Sequence, residues 1–316
     1  MTLDLACAWG PVTEVGGAPA WLMARGDPGW PAGLEHLVDV PARLWLAGRH
    51  PPRAPAVAVV GARRATLGGL EVAHRIGSEL ASAGIQVISG MARGIDAAAH
   101  RGAVDGGGTT VAVLGTGIDV CHPAGNLPLR DRILAHGCLV AEDPPGTDAA
   151  AFRFPRRNRL IAALSVAVVV VEAAERSGAL ITARLAADLG REVLAVPGSL
   201  LNDRSVGTNR LLRDGAGVWL GLEDLIGAVP RLADRAPRQR MAEATGAPLD
   251  PPLARLLELI GTDPVHPDQL AAELAKPAQA VAAQLSALEL LGEVRTLPGG
   301  LVVRASKAAA PGARDR

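Results

Sequence analysis

Lysine is almost missing from this 316-residue chain: Lys276 and Lys307 are the only two, and arginine supplies the rest of its 32 basic side chains. A phosphate loop of the GxxxxGK[ST] type needs a lysine at the phosphates, and Schiff-base chemistry needs one as nucleophile. Lys276 precedes Pro277 in a small C-terminal module and Lys307 lies in the tail, so both mechanisms are excluded. Aromatic residues are equally scarce, with five Trp, two Phe and no Tyr. Three cysteines (Cys7, Cys121 and Cys138) are too few and too scattered for a disulfide framework or a zinc site, which points to a reduced, intracellular protein. The start has an acidic residue at Asp4 and no basic n-region, so no signal peptide is expected. The longest apolar stretch, 160–171, sits between Arg159 and Glu172 and is too short to cross a bilayer. A soluble, cytoplasmic protein without membrane contact is expected.

What is present is a large apolar fraction, 49%, with a formal net charge of zero. That is enough for one large domain, or one plus a small one. Between residues 56 and 196 short apolar runs recur at 56–60, 85–89, 109–114, 138–141, 166–172 and 192–196. Each is nearly continuous rather than alternating, as strands buried on both faces of a parallel sheet should be. Helical patterns lie between them at 69–83, 95–105, 127–136, 156–164 and 179–190. This rhythm predicts a doubly wound α/β domain over 53–228. Residues 1–52 have no clear periodicity and are read as an irregular lead-in. Residues 229–246 hold four Arg against two acids and read as a basic linker, and 306–316 as a disordered tail. Residues 247–305 read as three short helices and a hairpin with a Gly-Gly turn, a winged-helix pattern. Its third helix, 277–291, lacks any Arg or Lys, which favours a protein-contact or regulatory module over a DNA reader.

In an open parallel sheet, ligands collect beyond the carboxyl ends of the strands. There the chain places Gly61-Ala62-Arg63-Arg64, then Ser89-Gly90-Met91-Ala92-Arg93-Gly94, then Gly115-Thr116-Gly117, and finally Arg176-Ser177-Gly178. Glycine lets a backbone approach closely, and each helix start offers free N–H groups and a positive dipole end. A single such turn is explained by sterics. Four on one edge, with arginines beside them, predict an anion-binding rim. GxGxxG does not follow the first strand, so nicotinamide and flavin cofactors are disfavoured and no cofactor is expected.

The stretch Phe152-Arg153-Phe154-Pro155-Arg156-Arg157-Asn158-Arg159 holds four arginines and both phenylalanines of the chain. Pro155 suits a helix start, which puts the Arg156–Arg159 group in the first turn, where cations oppose the helix dipole. An anion at the site would offset that cost. Guanidinium forks bind phosphates and Phe faces stack on bases, as single-stranded nucleic acid requires. The competing reading is an exposed charge run with a structural Phe, and which Phe stacks is left open. Asp96 and His100 stand four apart; a capping Asp and a satisfied His are preferred to a metal pair, for which no third ligand is evident. Glu172 is read as a hydrogen-bond acceptor for neighbouring N–H groups rather than a general acid or base. No catalytic triad can be assembled.

Taken in order, Val59-Val60-Gly61-Ala62-Arg63, Ser89-Gly90-Met91-Ala92-Arg93-Gly94-Ile95-Asp96 with His100, Phe154-Pro155-Arg156-Arg157-Asn158-Arg159-Leu160-Ile161, Ser177-Gly178-Ala179-Leu180-Ile181-Thr182-Ala183 and Gly207-Thr208-Asn209 resemble the DNA-processing protein A (DprA/Smf) family over roughly residues 25–228. The lead-in Gly26-Asp27-Pro28-Gly29-Trp30-Pro31 is similar to that family's entry into the domain. The resemblance implies an extended Rossmann-like domain and a non-enzymatic protein. Such a protein binds single-stranded DNA without sequence preference, loads RecA recombinase in recombination and natural transformation, and works as a dimer. By position it implies that Gly61, Arg63, Arg64, Ser89, Gly90, Arg93, Phe154, Arg156, Arg157, Asn158, Arg159, Ser177 and Gly178 line the DNA groove. About fifty residues precede the domain, too few for the helical N-terminal domain of some relatives. The rival reading is a nucleotide phosphoribohydrolase on a similar scaffold. Its PGGxGT loop is lacking here, because Pro298-Gly299-Gly300 falls in the expected wing. A transcription regulator acting through 247–305 is a third reading, disfavoured by that module's seven acids against four basic residues.

Overall fold

The computed structural model describes residues 13–49, 51–52, 55–235, 250–261, 263–291, 293–297 and 299–305. They fall into two compact units that divide between Arg238 and Gln239.

The larger unit is built on a sheet of ten strands. In chain order these are β1 (Thr13–Val15), β2 (Ala18–Ala24), β3 (Arg43–Gly48), β4 (Ala56–Val60), β5 (Gln86–Ser89), β6 (Thr110–Leu114), β7 (Gly137–Ala141), β8 (Ala167–Val170), β9 (Glu192–Ala195) and β10 (Gly217–Val218). Their spatial order is β1-β2-β3-β7-β6-β5-β4-β8-β9-β10. From β7 to β10 neighbouring strands pair in parallel, and β1, β2 and β3 add on antiparallel. β4 illustrates why the apolar runs are continuous. Ala56, Ala58 and Val60 pack toward Leu160 and Ile161 of helix α4 (Arg153–Leu164) and Ala179 and Ala183 of helix α5 (Gly178–Asp188). Val57 and Val59 pack toward Ile76 and Leu80 of helix α1 (Leu67–Ser82) and Ile95 and Ala99 of helix α2 (Ile95–Asp105). With both faces covered, neither parity of the strand can be polar.

The lead-in is not irregular. Residues 13–48 supply the three antiparallel strands, and Trp21, Met23, Leu44 and Leu46 join the core through the pairing of β3 with β7. These strands are short and separated by Gly- and Pro-rich turns and one five-residue 3-10 helix (Ala32–His36) rather than α-helices, so the strand–helix rhythm that reveals the rest of the sheet is missing there. The stretch read as a linker begins inside this unit as well. Val229 and Leu232 are buried in its core, and 230–235 form a 3-10 helix. The remainder of that stretch and the tail lie outside the described residues.

After α3 (Leu127–His136), α6 (Val206–Arg213) and α7 (Leu222–Ala228), which complete the helices of the larger unit, the smaller unit holds α8 (Pro251–Leu259), α9 (Pro267–Glu273), α10 (Ala278–Leu290) and the antiparallel pair β11 (Val294–Thr296) and β12 (Val302–Arg304). Leu256, Leu270, Val281, Leu288 and Val302 form its own core. Gly299 and Gly300 take positive φ in the wing turn. This is the winged-helix arrangement. Among the described residues no helix is long and apolar enough to cross a membrane.

Candidate nucleic-acid interface

The chain leaves β4 for β5, β6 and β7 on one side and returns as β8 on the other, so the strand order reverses between β4 and β8. Loops that leave two neighbouring strands in opposite directions open a crevice between them. A cleft of about 840 Å³ lies there, lined from the β4 side by Gly61, Arg63 and Arg64 and from the β8 side by Ser177 and Gly178. α4 contributes Phe154, Arg157 and Asn158, and Arg204 comes from the turn after β9.

Two features fix the β4 turn. Ile95 N–H, the first amide of α2, donates to Ala62 O at 3.2 Å. Thr66 caps α1 by accepting from Gly69 N–H, while its own N–H and hydroxyl both donate to the buried Glu172 carboxylate, at 2.9 and 2.5 Å. Glu172 is therefore a strut between the two loops, with both oxygens committed. On the opposite wall Ser177 caps α5, accepting from Ala179 N–H at 3.3 Å. Asn158 ties α4 to that cap through Gly178 O. Apart from its chain neighbours and the helix's own backbone, nothing lies within 4 Å of the space a Gly178 side chain would fill, so the start of α5 faces an open approach.

Arg63 and Arg64 are exposed, whereas Arg157 is only 6% exposed. Its guanidinium donates to Gly90 O at 2.9 Å and to Val113 O. Burial lowers its pKa to about 10, opposed by the nearby Asp96 carboxylate and reinforced by Arg63. Burial in turn raises the Asp96 carboxyl above its ordinary value, against the pull of Arg157 and of the Ala92 and Gly90 amides. Asp96 thus braces the β5 turn rather than capping α2, whose N-cap is Gly94. His100 Nδ1 lies 2.7 Å from Thr110 Oγ, and that hydroxyl donates to Val87 O. The ring nitrogen is consequently the donor, and burial drives its pKa down to about 3, so the imidazole is neutral. Among the described residues no group of three or more His, Cys, Asp or Glu is placed to hold a metal.

Five of the thirteen expected groove residues stand outside the cleft lining. Ser89 is buried with its hydroxyl donated to Val59 O at 2.6 Å, and Gly90 N–H is taken by Asp96, so this turn builds the floor instead of offering donors. Arg93 is exposed on the neighbouring β5 loop. Arg156 and Arg159 point to carboxylates that follow β7, Arg156 to Asp143 at 2.5 Å and Arg159 to Glu142 at 2.6 Å, and Arg159 also lies 3.4 Å from Asp39 in the β2–β3 connection. Arg153 joins them through Asp143 at 2.9 Å. Partial burial pushes the Asp143 carboxyl up, but the hydrogen bonds from Arg156 and Arg153 outweigh it and the pKa ends lowered. α4 begins at Arg153, two residues before Pro155, and this rotation turns 154, 157 and 158 to the cleft and 153 and 156 to the acids. Arg204 was not anticipated. It donates to Arg64 O at 2.5 Å, and its signal in the sequence was only its place after β9 on the same edge.

The DNA recombination-mediator protein A family model matches residues 21–230, and the DprA winged helix domain model matches 240–300. The chain belongs to this family. It is 37% identical to Protein Smf of Escherichia coli (strain K12) over 279 residues, covering 86% of this chain and 74% of that one. It is 48% identical to the putative DNA processing protein DprA of Mycobacterium tuberculosis over 204 residues, 63% of this chain and 52% of that one. The chain therefore spans about three quarters of one relative and about half of the other. Among solved structures, DprA from Streptococcus pneumoniae is similar with a TM-score of 0.61 and 37% identity, over 65% of this chain and 73% of that one. DNA processing protein A from Helicobacter pylori, a structure described for its single-stranded DNA binding mode, gives a TM-score of 0.61 at 26% identity, over 69% of this chain and 99% of that one. As a DprA-family DNA-processing protein, the chain carries both the Rossmann-like and the winged-helix parts of the family.

Proposed function

We propose that the cleft at the β4/β8 reversal binds single-stranded DNA without sequence preference, and that the protein acts as a recombination mediator that delivers the strand to RecA. The observation that carries this reading is the pairing of exposed Arg63 and Arg64 with the open amide end of α5 across one cleft. Guanidinium forks and helix-start amides both recognise phosphate oxygens, and contacts to phosphates carry no sequence information. Gly61, Asn158, Ser177 and Gly178 shape the phosphate track, Arg157 with Ser89 and Gly90 forms its floor, and Arg93 continues it along the rim. Arg156 and Arg159 reach the strand only by exchanging carboxylates for phosphates. The family's description as a recombination mediator is what supports the RecA step; use in natural transformation and a homodimeric state are proposed from the family resemblance alone. Binding is assigned to the larger unit, with 247–305 as a contact module. No catalytic step is assigned, because Glu172 is committed to Thr66.

Titrating fluorescent oligo-dT and a duplex of equal length into the full chain tests the reading. Oligo-dT is expected to bind more tightly, with affinity that falls linearly in log–log against salt, and to assemble RecA faster in the presence of the protein. Equal binding to duplex, or release of bases from nucleotides, would contradict it.

A further inference from the structure

The two phenylalanines flanking Arg153 have different surroundings. Phe154 is half-buried and its ring is already engaged: the Arg63 guanidinium lies over it at 5.1 Å from the centroid, and the His122 ring packs at 5.4 Å. Gly115 accommodates its edge, since a Cβ there would come within 2.9 Å of Phe154 Cδ1. Phe154 therefore reads as a support that sets the position of Arg63. Phe152 is 65% exposed, and no other described Phe or Trp is exposed. In a chain with so few aromatics, leaving this one in water costs apolar burial that nothing within the larger unit recovers.

Its setting resembles a prepared stacking surface. The Arg153 guanidinium covers the ring at 5.1 Å from the centroid, and Arg153 is itself fixed by Asp143 at 2.9 Å. The ring is thus held by an arginine that is itself anchored to a carboxylate, one it shares with Arg156. Ala151 before it and Phe154 after it both line the cleft, so Phe152 stands at the cleft's margin, on the α4 side. A strand with its phosphates on Arg63, Arg64 and the α5 amides presents its bases outward, and the next unstacked base along it meets an aromatic face.

We infer that Phe152, backed by Arg153, is a stacking platform for one unpaired base beyond the cleft. The inference rests on the single-stranded DNA reading and adds a contact that depends on bases, where the cleft contacts depend on phosphates. Stacking on an aromatic side chain is tolerant of sequence, so the platform extends the footprint without adding specificity.

The test uses the full chain with Phe152→Leu and Phe152→Trp, on oligo-dT and on an abasic strand of equal length. Phe152→Leu is expected to weaken oligo-dT binding on the order of five- to a hundredfold. Its salt dependence should match the parent, since no phosphate contact is removed, and on the abasic strand the two should bind alike. Phe152→Trp should keep parent affinity. Parent-like binding of oligo-dT by Phe152→Leu, or an equal loss on the abasic strand, overturns the platform. If the unaltered chain itself fails to bind oligo-dT, the cleft reading falls and the platform with it; if it binds and Phe152→Leu matches it, only the platform falls.

Discussion

Arg63 and Arg157 carry the same guanidinium and border the same cleft, yet their surroundings assign them opposite tasks. Arg63 is exposed and propped on Phe154, so its charge is offered outward. Arg157 is enclosed, with its donors given to Gly90 O and Val113 O and its charge set against Asp96. Removing it would strand two carbonyls and leave a buried carboxylate without its counter-charge. Arg157→Ala is therefore expected to cost about 3–5 kcal/mol of stability, read as a fall in the urea midpoint. Arg63→Ala should change stability by less than about 0.5 kcal/mol and lower oligo-dT affinity instead. Equal stability of the two variants would refute the distinction. The sequence shows that arginines crowd this region, but not which is a floor and which a hand. Nor does it show which arginines are neutralised, since Glu142 and Asp143 stand ten to seventeen residues before their partners Arg153, Arg156 and Arg159 in the chain and meet them only once β7 and α4 are packed. The same holds for Phe152 and Phe154, two positions apart in sequence and separated in role by the helix rotation that begins at Arg153.

At the scale of elements, the helices and parallel strands between residues 56 and 196 were legible because burial on both faces forces continuous apolar runs, and their positions agree closely with those runs, whereas the short helices at 206–213 and 222–228 and the two-residue β10 were not. The antiparallel strands β1, β2 and β3 were not, since strands of three to seven residues with no helices of regular rhythm between them leave little periodic signal. The glycines of the rim were visible as a group, but their separate reasons emerge only in the fold. Gly94 has φ +76°, and a Cβ there would stand 2.2 Å from Ala62 O, the carbonyl that pins the Arg63 turn to α2. Gly94→Ala should destabilise the protein by at least about 1–3 kcal/mol from backbone strain alone. Because it displaces the Arg63–Arg64 turn, it should weaken oligo-dT binding too, although Gly94 itself touches no ligand. A thermal melt and a titration on the same sample check both. Intact stability with intact binding would mean that the turn is not held where the geometry puts it.

For the molecule as a whole, a net charge of zero hides an uneven distribution. The larger unit sets the exposed Arg63 and Arg64 at the cleft, while the winged-helix unit carries more acids than bases and a third helix without Lys or Arg. Each unit has its own core. Deleting 247–305 is accordingly expected to leave oligo-dT affinity and its salt slope unchanged, and loss of most of the affinity would move the interface to the wing. In the proposed complex Arg63 and Arg64 meet phosphates across from the start of α5. This placement is tested most directly by the salt dependence of oligo-dT binding for the unaltered chain and for the Arg63→Ala/Arg64→Ala pair. Two lost phosphate contacts should flatten the log–log slope by about 1.4 and weaken binding at low salt. A slope unchanged by the double substitution would contradict the placement.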